Sequence, residues 1–561
     1  MSKYIVSVID TTGIQPYIFG SNRLRENIGA SYLVAQATNE WVKQVLRQRL
    51  GDNVYIPDGN QQKKTIENDT LDAELVYTGG GNAVILFKGI DCAIRFTKTL
   101  SKKVLREAPG LKIVVAHSEP FEWGNQLSKT VDSLIKKLEQ KKREYNPSVP
   151  LLGLGVTANC LSTGLVALDT SDRYSVPTRY PVSREIVEKL RAVDPKQGEP
   201  ANKQLRETIF ADLELGDYQV AYDVDDLGRT EGCSSYMAIV HADGNGMGDR
   251  FKEYGNQSQS DREYIMRMRD LSEKVNQAGV NALKVVANKV IQLAQGKLSE
   301  QFAITERDRK KYIPFRPIVY GGDDVTFVCD GRLGLTLAAL YLKAFEAEKA
   351  TIPDGKELTA CAGIAIVKTH YPFARAYQLS EALCRNAKNF VRDEKKRLRM
   401  SDFDVSALDW HIAASGLLGS ISNIRKREYQ VPEGNLTMRP VYLHSESDWR
   451  NWTDFSQVVR EFNTHPNWVG RRNKVVALRE QLRQGSDKTK QFLQVYGLHK
   501  DYLPHFLAAQ TDDLHQSGWT DDPRTNERIC AYFDAIEAME FHIPLEEKNH
   551  ENLPSKNSTI E

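Results

Sequence analysis

The sequence predicts an α+β protein with two ferredoxin-like domains, each with the element order β-α-β-β-α-β and an antiparallel sheet. Two observations carry this prediction. One is a weak internal repeat of that element order, and the other is a shared pair of landmarks, a strand ending in aspartate and a later glycine-rich hairpin. The length of 561 residues also exceeds what a single hydrophobic core accommodates. We therefore predict a first domain at residues 1–121, an intervening helical and small mixed α/β region at 122–232, a second domain at 233–404, a C-terminal helical domain at 405–545, and a disordered tail at 546–561.

The first copy of the repeat begins with a β-branched strand and continues with a long helical stretch. Its later elements are a hairpin, a second helix and a closing strand. The predicted elements are a strand at 4–10, a helix at 22–50, a hairpin at 75–87, a helix at 91–107 and a strand at 111–116.

The second copy repeats this order with clearer boundaries. Its strands are almost wholly apolar, as expected where helices cover one face of a sheet. The predicted elements are a strand at 236–243, a helix at 261–295, a hairpin at 317–329, a helix at 333–348, a strand at 358–368 and a helix at 372–392.

Composition excludes several classes of protein. Hydrophobic residues at 41% and charged residues at 27% are in the ordinary globular range. A net charge of +1 gives no electrostatic argument for a nucleic-acid coat or a membrane-surface protein. The seven cysteines form no CxxC pair, which argues against a zinc ribbon or a disulfide framework and for a reducing interior. No segment is long and apolar enough to span a bilayer, so we expect a cytoplasmic protein with no membrane partner.

The second copy carries the residues that indicate chemistry. Its first strand ends at Asp243 and is followed by the glycine-rich turn 244–248, where glycine lets the backbone approach a ligand closely. Its hairpin holds Asp323 and Asp324 directly after two glycines that supply positive φ at the turn. Because the strand and the hairpin are neighbours in such a sheet, Asp243 and one of the two hairpin acids are expected to meet at one end. Since adjacent strand residues point to opposite faces, the other acid needs the twist of the turn to reach the same ion.

Clustered carboxylates favour a hard divalent cation, Mg²⁺ or Mn²⁺, which in turn binds substrate phosphates. The alternative is an ordinary hairpin, because Gly-Gly-Asp-Asp consists of common turn residues. The apolar strands on both sides of the hairpin and the strand that ends at Asp243 favour the chemical interpretation. Lys388, in a predicted helix, is a candidate triphosphate contact, although spacing alone favours a solvated lysine.

Three motifs resemble the CRISPR-associated palm polymerase family, the large signal-synthesising subunit of type III effector complexes. They are Asp243-Gly-Asn-Gly-Met-Gly, Tyr320-Gly-Gly-Asp-Asp, and the stretch 13–31 with its sequence QPYIF followed by LRENIGAS. The resemblance covers residues 1–410 and implies two palm domains packed face to face with ATP between them. It also implies that the first palm is degenerate, since Gly79-Gly80-Gly81-Asn82 stands where the second copy has Gly321-Gly322-Asp323-Asp324.

The resemblance implies an activity and a set of site residues. Asp243, Asp323 and Asp324 are expected to be catalytic and to hold Mg²⁺ or Mn²⁺, with the Gly244 carbonyl as a further ligand. The nucleotide-binding residues implied are Gly246, Gly248, Gly321, Gly322, Lys388, Gly79, Gly80 and Gly81. The expected reaction converts ATP to cyclic oligoadenylates with release of pyrophosphate. The protein would be the signal-producing subunit of an RNA-guided antiviral complex, with other effector subunits, guide RNA and target RNA as partners.

The sequence departs from many family members in two respects. It contains no His-Asp dipeptide, so we expect a form without the HD nuclease domain and without DNA cleavage. It also lacks the cysteine pairs of the zinc element. Two alternatives remain open at this stage, a non-catalytic ATP-binding scaffold subunit and a stand-alone cyclic nucleotide synthase. A GGDEF-type synthase is disfavoured, because the motif here ends in Asp-Asp and a degenerate copy lies in the same chain.

Overall fold

The computed structural model describes residues 3–57, 64–68, 70–144, 153–171, 179–228, 235–296, 304–307, 309–400, 404–413, 419–446, 448–497, 503–508, 512–543 and 545. The chain divides into two compact units. The first comprises Met1–Gly331 with Leu340–Leu417, and the second comprises Arg332–Ala339 with Leu418–Glu561. Both predicted palms lie in the first unit. The predicted disordered tail lies outside the described residues.

The first palm is built on a sheet with strand order β2-β3-β4-β1-β5, antiparallel except for the parallel pair β2-β3, and a short strand, β6, also pairs with β1. Its strands are β1 Lys3–Thr12, β2 Val54–Tyr55, β3 Ala73–Gly79, β4 Asn82–Phe87, β5 Lys112–His117 and β6 Phe121–Glu122. The central strand β1 pairs antiparallel with β4 and β5. In the first pairing Asp10 is opposite Asn82, the residue that follows the glycine turn.

The intervening region contributes three short strands, β7 Asp169–Ser171, β8 Tyr180–Val182 and β9 Tyr218–Val220. The second palm follows with β10 Tyr236–Gly244, β11 Glu306–Arg307, β12 Lys310–Ile313, β13 Phe315–Val319, β14 Val325–Asp330, β15 Ala360–Lys368 and β16 Ala407–Ala413. The order of its main strands is β13-β14-β10-β15-β16, so the strand that ends in Asp243 is central. Because β10 pairs antiparallel with β14 and Ala242 is opposite Val325, the residues just beyond this pair, Asp243 and Asp324, are brought side by side.

Helices cover these sheets and are the longest regular elements of the second unit. They are α1 Ile14–Phe19, α2 Leu24–Ala35, α3 Trp41–Leu50, α4 Ile90–Glu107, α5 Leu127–Glu144, α6 Arg184–Arg191, α7 Pro200–Thr208, α8 Met247–Asn256, α9 Asp261–Gln295, α10 Gly334–Ala347, α11 Phe373–Leu398, α12 Ile421–Glu428, α13 Trp452–Thr464, α14 Arg472–Leu482, α15 Ser486–Val495, α16 Asp512–Ser517 and α17 Phe533–Ala538. Within the described part of the chain, no helix has the length and apolar character needed to cross a membrane.

The predicted α+β class with two palm-type sheets is confirmed, and the structure changes three details. The helix predicted at 22–50 is two helices, α2 and α3, joined by a π-helical turn at Gln36–Glu40. The second sheet continues through β16, beyond the boundary predicted at residue 404, because β16 pairs in parallel with β15. The second unit is not wholly helical, since β17 Gln430–Val431, β18 Gly434–Asn435, β20 Trp519–Asp521 and β21 Arg528–Cys530 form a four-stranded sheet, and β19 Val441–Tyr442 lies between them in sequence.

The long helix α9 is anchored to the first palm by a buried ion-pair cluster. Glu74 of β3 is fully buried, and it accepts hydrogen bonds from Arg262 (2.6 Å) and Arg269 (2.7 Å) of α9. Burial alone would raise the pKa of Glu74, but the two guanidinium groups hold it below its ordinary value. A buried carboxylate with two cationic partners fixes α9 against β3, which determines where the rest of the helix lies.

Candidate active site

Lys388 and Asp243 form an ion pair at the end of the central strand. The Lys388 ammonium, on α11, lies 2.6 Å from Asp243 Oδ2 and donates to the Gly244 carbonyl over 2.7 Å. The side chains of Lys388 and Asp243 are 21% and 39% exposed. Lys388 is therefore part of the carboxylate cluster, and the alternative of a solvated surface lysine is wrong.

Asp323 lies against the turn that follows Asp243. Its backbone carbonyl accepts a hydrogen bond from the Gly244 amide over 3.2 Å. A Cβ atom at Gly244 would lie 2.8 Å from the Asp323 Cβ, closer than real side chains approach. Glycine at this position therefore permits the contact between the hairpin and the strand end.

Asp324 lies beside a buried histidine. His241 Nδ1 is 3.4 Å from Asp324 Oδ1 and 3.2 Å from Thr326 Oγ1, and the register of β10 and β14 places His241 opposite Thr326. Among the described residues, Asp324 Oδ1 has no hydrogen-bond partner, although the side chain as a whole is 46% exposed. This oxygen is itself buried and faces His241, so a cation that enters from the open side would meet the exposed remainder of the Asp324 side chain.

Burial and the negative charge of Asp243 raise the pKa of both Asp323 and Asp324 to about 7. Three carboxylates of like charge repel one another, and a divalent cation would relieve that repulsion. Carboxylate oxygens and a backbone carbonyl are the ligands that Mg²⁺ and Mn²⁺ prefer, so the donor set fits such an ion. In the described part of the chain, no three or more His, Cys, Asp or Glu side chains are already arranged around a metal position. The Lys388 ammonium instead compensates Asp243.

The second glycine hairpin has the backbone geometry that its sequence predicted, and the first hairpin shares it. The φ angles are +57° at Gly80, +82° at Gly81, +129° at Gly321 and +75° at Gly322, all in the region that favours glycine. Gly246, with φ of +62°, precedes the first residue of α8, and Gly248 lies in the first turn of that helix. Their backbone amides therefore lie at a helix N-terminus next to Asp243 and Gly244.

Helix α9 contacts both hairpins, which sequence reasoning missed. Asn276 Oδ1 accepts a hydrogen bond from the Gly322 amide over 3.0 Å. A Cβ atom at Gly279 would lie 2.1 Å from the Gly322 carbonyl oxygen. A Cβ atom at Gly79 in the first palm would lie 3.1 Å from Ser272 Oγ. Ser272 lies one helical turn before Asn276, on the same face of α9. One helix thus positions the tips of both palms.

A cavity of about 530 Å³ lies between the two hairpins. Its lining includes Gly79–Gly81 from the first palm and Tyr320, Gly321 and Asp324 from the second. This volume is in the range of small-molecule sites. Asn39, in the π-helical turn, also lines it and accepts a hydrogen bond from Thr78 over 2.9 Å. Such turns are frequent at functional sites, and no periodicity in the sequence signals this one.

Comparisons with known proteins agree with this geometry. Residues 236–398 match the family model described as Cas10/Cmr2, second palm domain. The structure is similar to the Csm1–Csm4 cassette in complex with pppApApA, with a TM-score of 0.50 and 15% identity, covering 96% of this chain and 69% of that one. A structure of Csm1 in T. onnurineus is similar with a TM-score of 0.48 and 15% identity, covering 97% of this chain and 70% of that one. No curated protein matches the chain in sequence. The family match and the shared fold of the first structure confirm the resemblance that the motifs indicated.

Proposed function

We propose that this chain, whose residues 236–398 match the Cas10/Cmr2 second palm domain, is a metal-dependent nucleotidyltransferase that joins ATP into cyclic oligoadenylates and releases pyrophosphate. The observation that supports this most strongly is the cluster of Asp243, Asp323 and Asp324 at one end of a palm sheet. Asp324 borders a nucleotide-sized cavity between two glycine hairpins. A scaffold has little use for carboxylates that are crowded together and repel one another. A metal site needs such a cluster to bind its ion.

Each residue of the cluster has a proposed task. Asp243, Asp323, Asp324 and the Gly244 carbonyl would hold Mg²⁺ or Mn²⁺, which when bound activates a ribose hydroxyl and neutralises phosphate charge. Lys388 would balance the triphosphate charge, since its ammonium already lies at Asp243 and Gly244. The amides near Gly246 and Gly248 would bind phosphate at the N-terminus of α8. No protein nucleophile is needed, because the substrate supplies the attacking hydroxyl.

The first palm repeats part of this arrangement but lacks the two hairpin acids. Lys142 of α5 lies 2.7 Å from Asp10 of β1, as Lys388 of α11 does from Asp243 of β10. The residue opposite Asp10 is Asn82, and the hairpin before it is all glycine. A single carboxylate beside an amide is a poor binding site for a divalent ion. We therefore propose that the first palm binds nucleotide through Gly79, Gly80 and Gly81 and does not itself catalyse.

The relative solved as a Csm1–Csm4 cassette with pppApApA supports the assignment of ATP as substrate and of a type III effector complex as the setting. In that setting the partners would be other effector subunits, guide RNA and target RNA. A second candidate is an ATP-binding scaffold. It is favoured by the Lys388–Asp243 ion pair, which leaves the cluster without a preformed three-ligand metal site among the described residues.

Labelled ATP incubated with the purified chain and Mn²⁺ tests the proposal. Cyclic or linear oligoadenylates with stoichiometric pyrophosphate are the expected products, resolved by chromatography. Products from the isolated chain would indicate a stand-alone synthase. If none forms, the same assay is repeated with effector subunits, guide RNA and target RNA. Absence of product there too, with ATP bound, would establish the scaffold.

Replacing Lys388 tests the proposed triphosphate contact. Lys388→Met keeps the apolar stem and removes the charge, so we expect product formation to fall about 10- to 100-fold, mainly through a higher KM for ATP. The matched control is Arg385→Met, one turn earlier on α11, whose side chain is 68% exposed and pairs with Glu381. Equal losses in the two variants would mean that Lys388 acts only through helix stability.

A further inference from the structure

Among the described residues, Arg316 of β13 is a buried cation that forms no ion pair with a carboxylate. Its guanidinium lies 5.4 Å from the ring centre of Tyr222, whose hydroxyl donates to Glu199. Arg316 is 1% exposed and lines the cavity between the palms. Its Nη1 donates to Asn202 Oδ1 over 2.7 Å and to the Ala221 carbonyl over 3.3 Å, while its Nε has no hydrogen-bond partner among the described residues. Burial lowers the pKa of Arg316 to about 10, so the group stays charged at neutral pH.

The other arginines that are buried in the described part of the chain are all neutralised. Arg250 pairs with Asp354 at 2.5 Å, Arg439 with Asp534 at 3.0 Å, and Arg450 with Asp522 at 2.8 Å. A buried cation that lacks a carboxylate partner lowers the free energy of unfolding. A protein that pairs its other buried arginines but leaves one of them facing a cavity has the electrostatic pattern of an anion-binding site.

Arg316 lies at a distance from the acids that fits a nucleotide. It is opposite Val328 on β14, four residues after Asp324, which at 3.3 Å per residue corresponds to about 13 Å along the sheet. A phosphate at Arg316 is therefore too far away to be the reacting phosphate at the carboxylates. A nucleotide with one end at Arg316 and the other near Asp324 would span the cavity.

We propose that Arg316 binds a phosphate group of a second nucleotide, or of the growing chain, at the end of the cavity away from the carboxylates. This proposal rests on the proposed function only for the identity of the nucleotide. Around Arg316, helix α7 of the intervening region supplies neutral wall residues, Ala201, Gln204 and Thr208. Asn202 of the same helix holds the guanidinium. The intervening region thus forms part of the phosphate site.

Equilibrium binding without divalent ions tests the proposal. We expect Arg316→Gln to weaken binding of ATP and of inorganic tripolyphosphate about 10- to 100-fold and to leave binding of adenosine unchanged. Arg316→Lys, which keeps the charge, should restore part of the affinity. The matched control is Lys43→Gln, which lines the same cavity but has an ammonium already paired with Glu40 at 3.3 Å, so the two anions should bind as to the wild type.

Two outcomes would overturn the proposal. One is equal weakening of ATP and adenosine, which is the effect of a purely structural arginine, and the other is unchanged binding of both anions. Because the measurement needs no turnover, an inactive protein that still binds tripolyphosphate through Arg316 would refute the proposed activity alone. If Arg316→Gln does not fold, a crystal structure of the wild type with a non-hydrolysable ATP analogue decides. A phosphate oxygen within hydrogen-bond distance of Arg316 supports the site, and phosphates bound only elsewhere exclude it.

Discussion

The double variant Asp323→Asn/Asp324→Asn should lose oligoadenylate synthesis by about 1000-fold or more, and it should also become more heat-stable at pH 8. The loss follows because asparagine keeps the shape of the hairpin but removes two of the three anionic ligands proposed for the metal. Product formation from labelled ATP, in whichever assembly state is active, measures it. Asp249→Asn, an exposed acid in the first turn of α8, is the control that should retain activity.

The gain in stability follows from the raised pKa values. Burial and Asp243 place the pKa of Asp323 and Asp324 at about 7 in the folded protein, against an ordinary value of 3.8. Between pH 3.8 and pH 7 the two carboxyl groups keep their protons in the folded state and have lost them in the unfolded state. Stability therefore falls as pH rises from 3.8 to 7 and remains low above 7. Because Asp324 is partly exposed, the combined penalty removed by asparagine is on the order of 1 kcal/mol, or about 1–2 °C in Tm for a unit of this size.

Thermal unfolding of the wild type and the double variant at pH 8 and at pH 4 measures this effect. The difference in Tm should be positive at pH 8 and close to zero at pH 4, where the folded wild type is already protonated. A variant that is less stable than the wild type at pH 8 would show that the two carboxylates stabilise the fold. That result would contradict their interpretation as a strained, functional cluster.

The elements that carry the chemistry were predictable because their signals are local. Apolar strands with turns at their ends predicted β10, β14 and the antiparallel pairing that brings Asp243 and one of the two hairpin acids together. The glycine pair before Asp323 predicted the positive φ angles of the second hairpin. These patterns arise within about ten residues of chain, where period and turn chemistry decide the conformation.

The supporting residues were not predictable, because their roles depend on contacts between distant segments. Asn276 and Gly279 belong to an ordinary helical pattern, and only tertiary packing brings them to the Gly322 tip. Asn39 lies in a turn that periodicity assigned to a straight helix. Arg316 is one arginine in an apolar strand, and that it forms no ion pair with a carboxylate in the described part of the chain is visible only once its neighbours in space are known.

Gly279→Ala should inactivate the protein without unfolding it. In an ordinary helix interior this substitution stabilises by about 1 kcal/mol, because alanine restricts the unfolded chain. Here the new Cβ atom would lie 2.1 Å from the Gly322 carbonyl oxygen, so the hairpin tip must move outward by at least about 1 Å. That movement displaces Asp323 and Asp324 relative to Asp243, and a misplacement of this size costs about 100-fold in rate.

Activity and stability measured together separate this effect from general damage. We expect a Tm within a few degrees of the wild type, since the helix gain of about 1 kcal/mol offsets much of an overpacking cost of about 1–3 kcal/mol. Gly124→Ala is the matched control, because a Cβ atom there meets nothing within 4 Å. Wild-type rates in Gly279→Ala would show that the hairpin adjusts freely and that α9 does not fix the catalytic geometry. An inactive but folded variant would show that α9, which has no catalytic group of its own, sets the distance between Asp243 and the two hairpin acids. It does so because the hairpin packs directly against the backbone of α9 at Gly279.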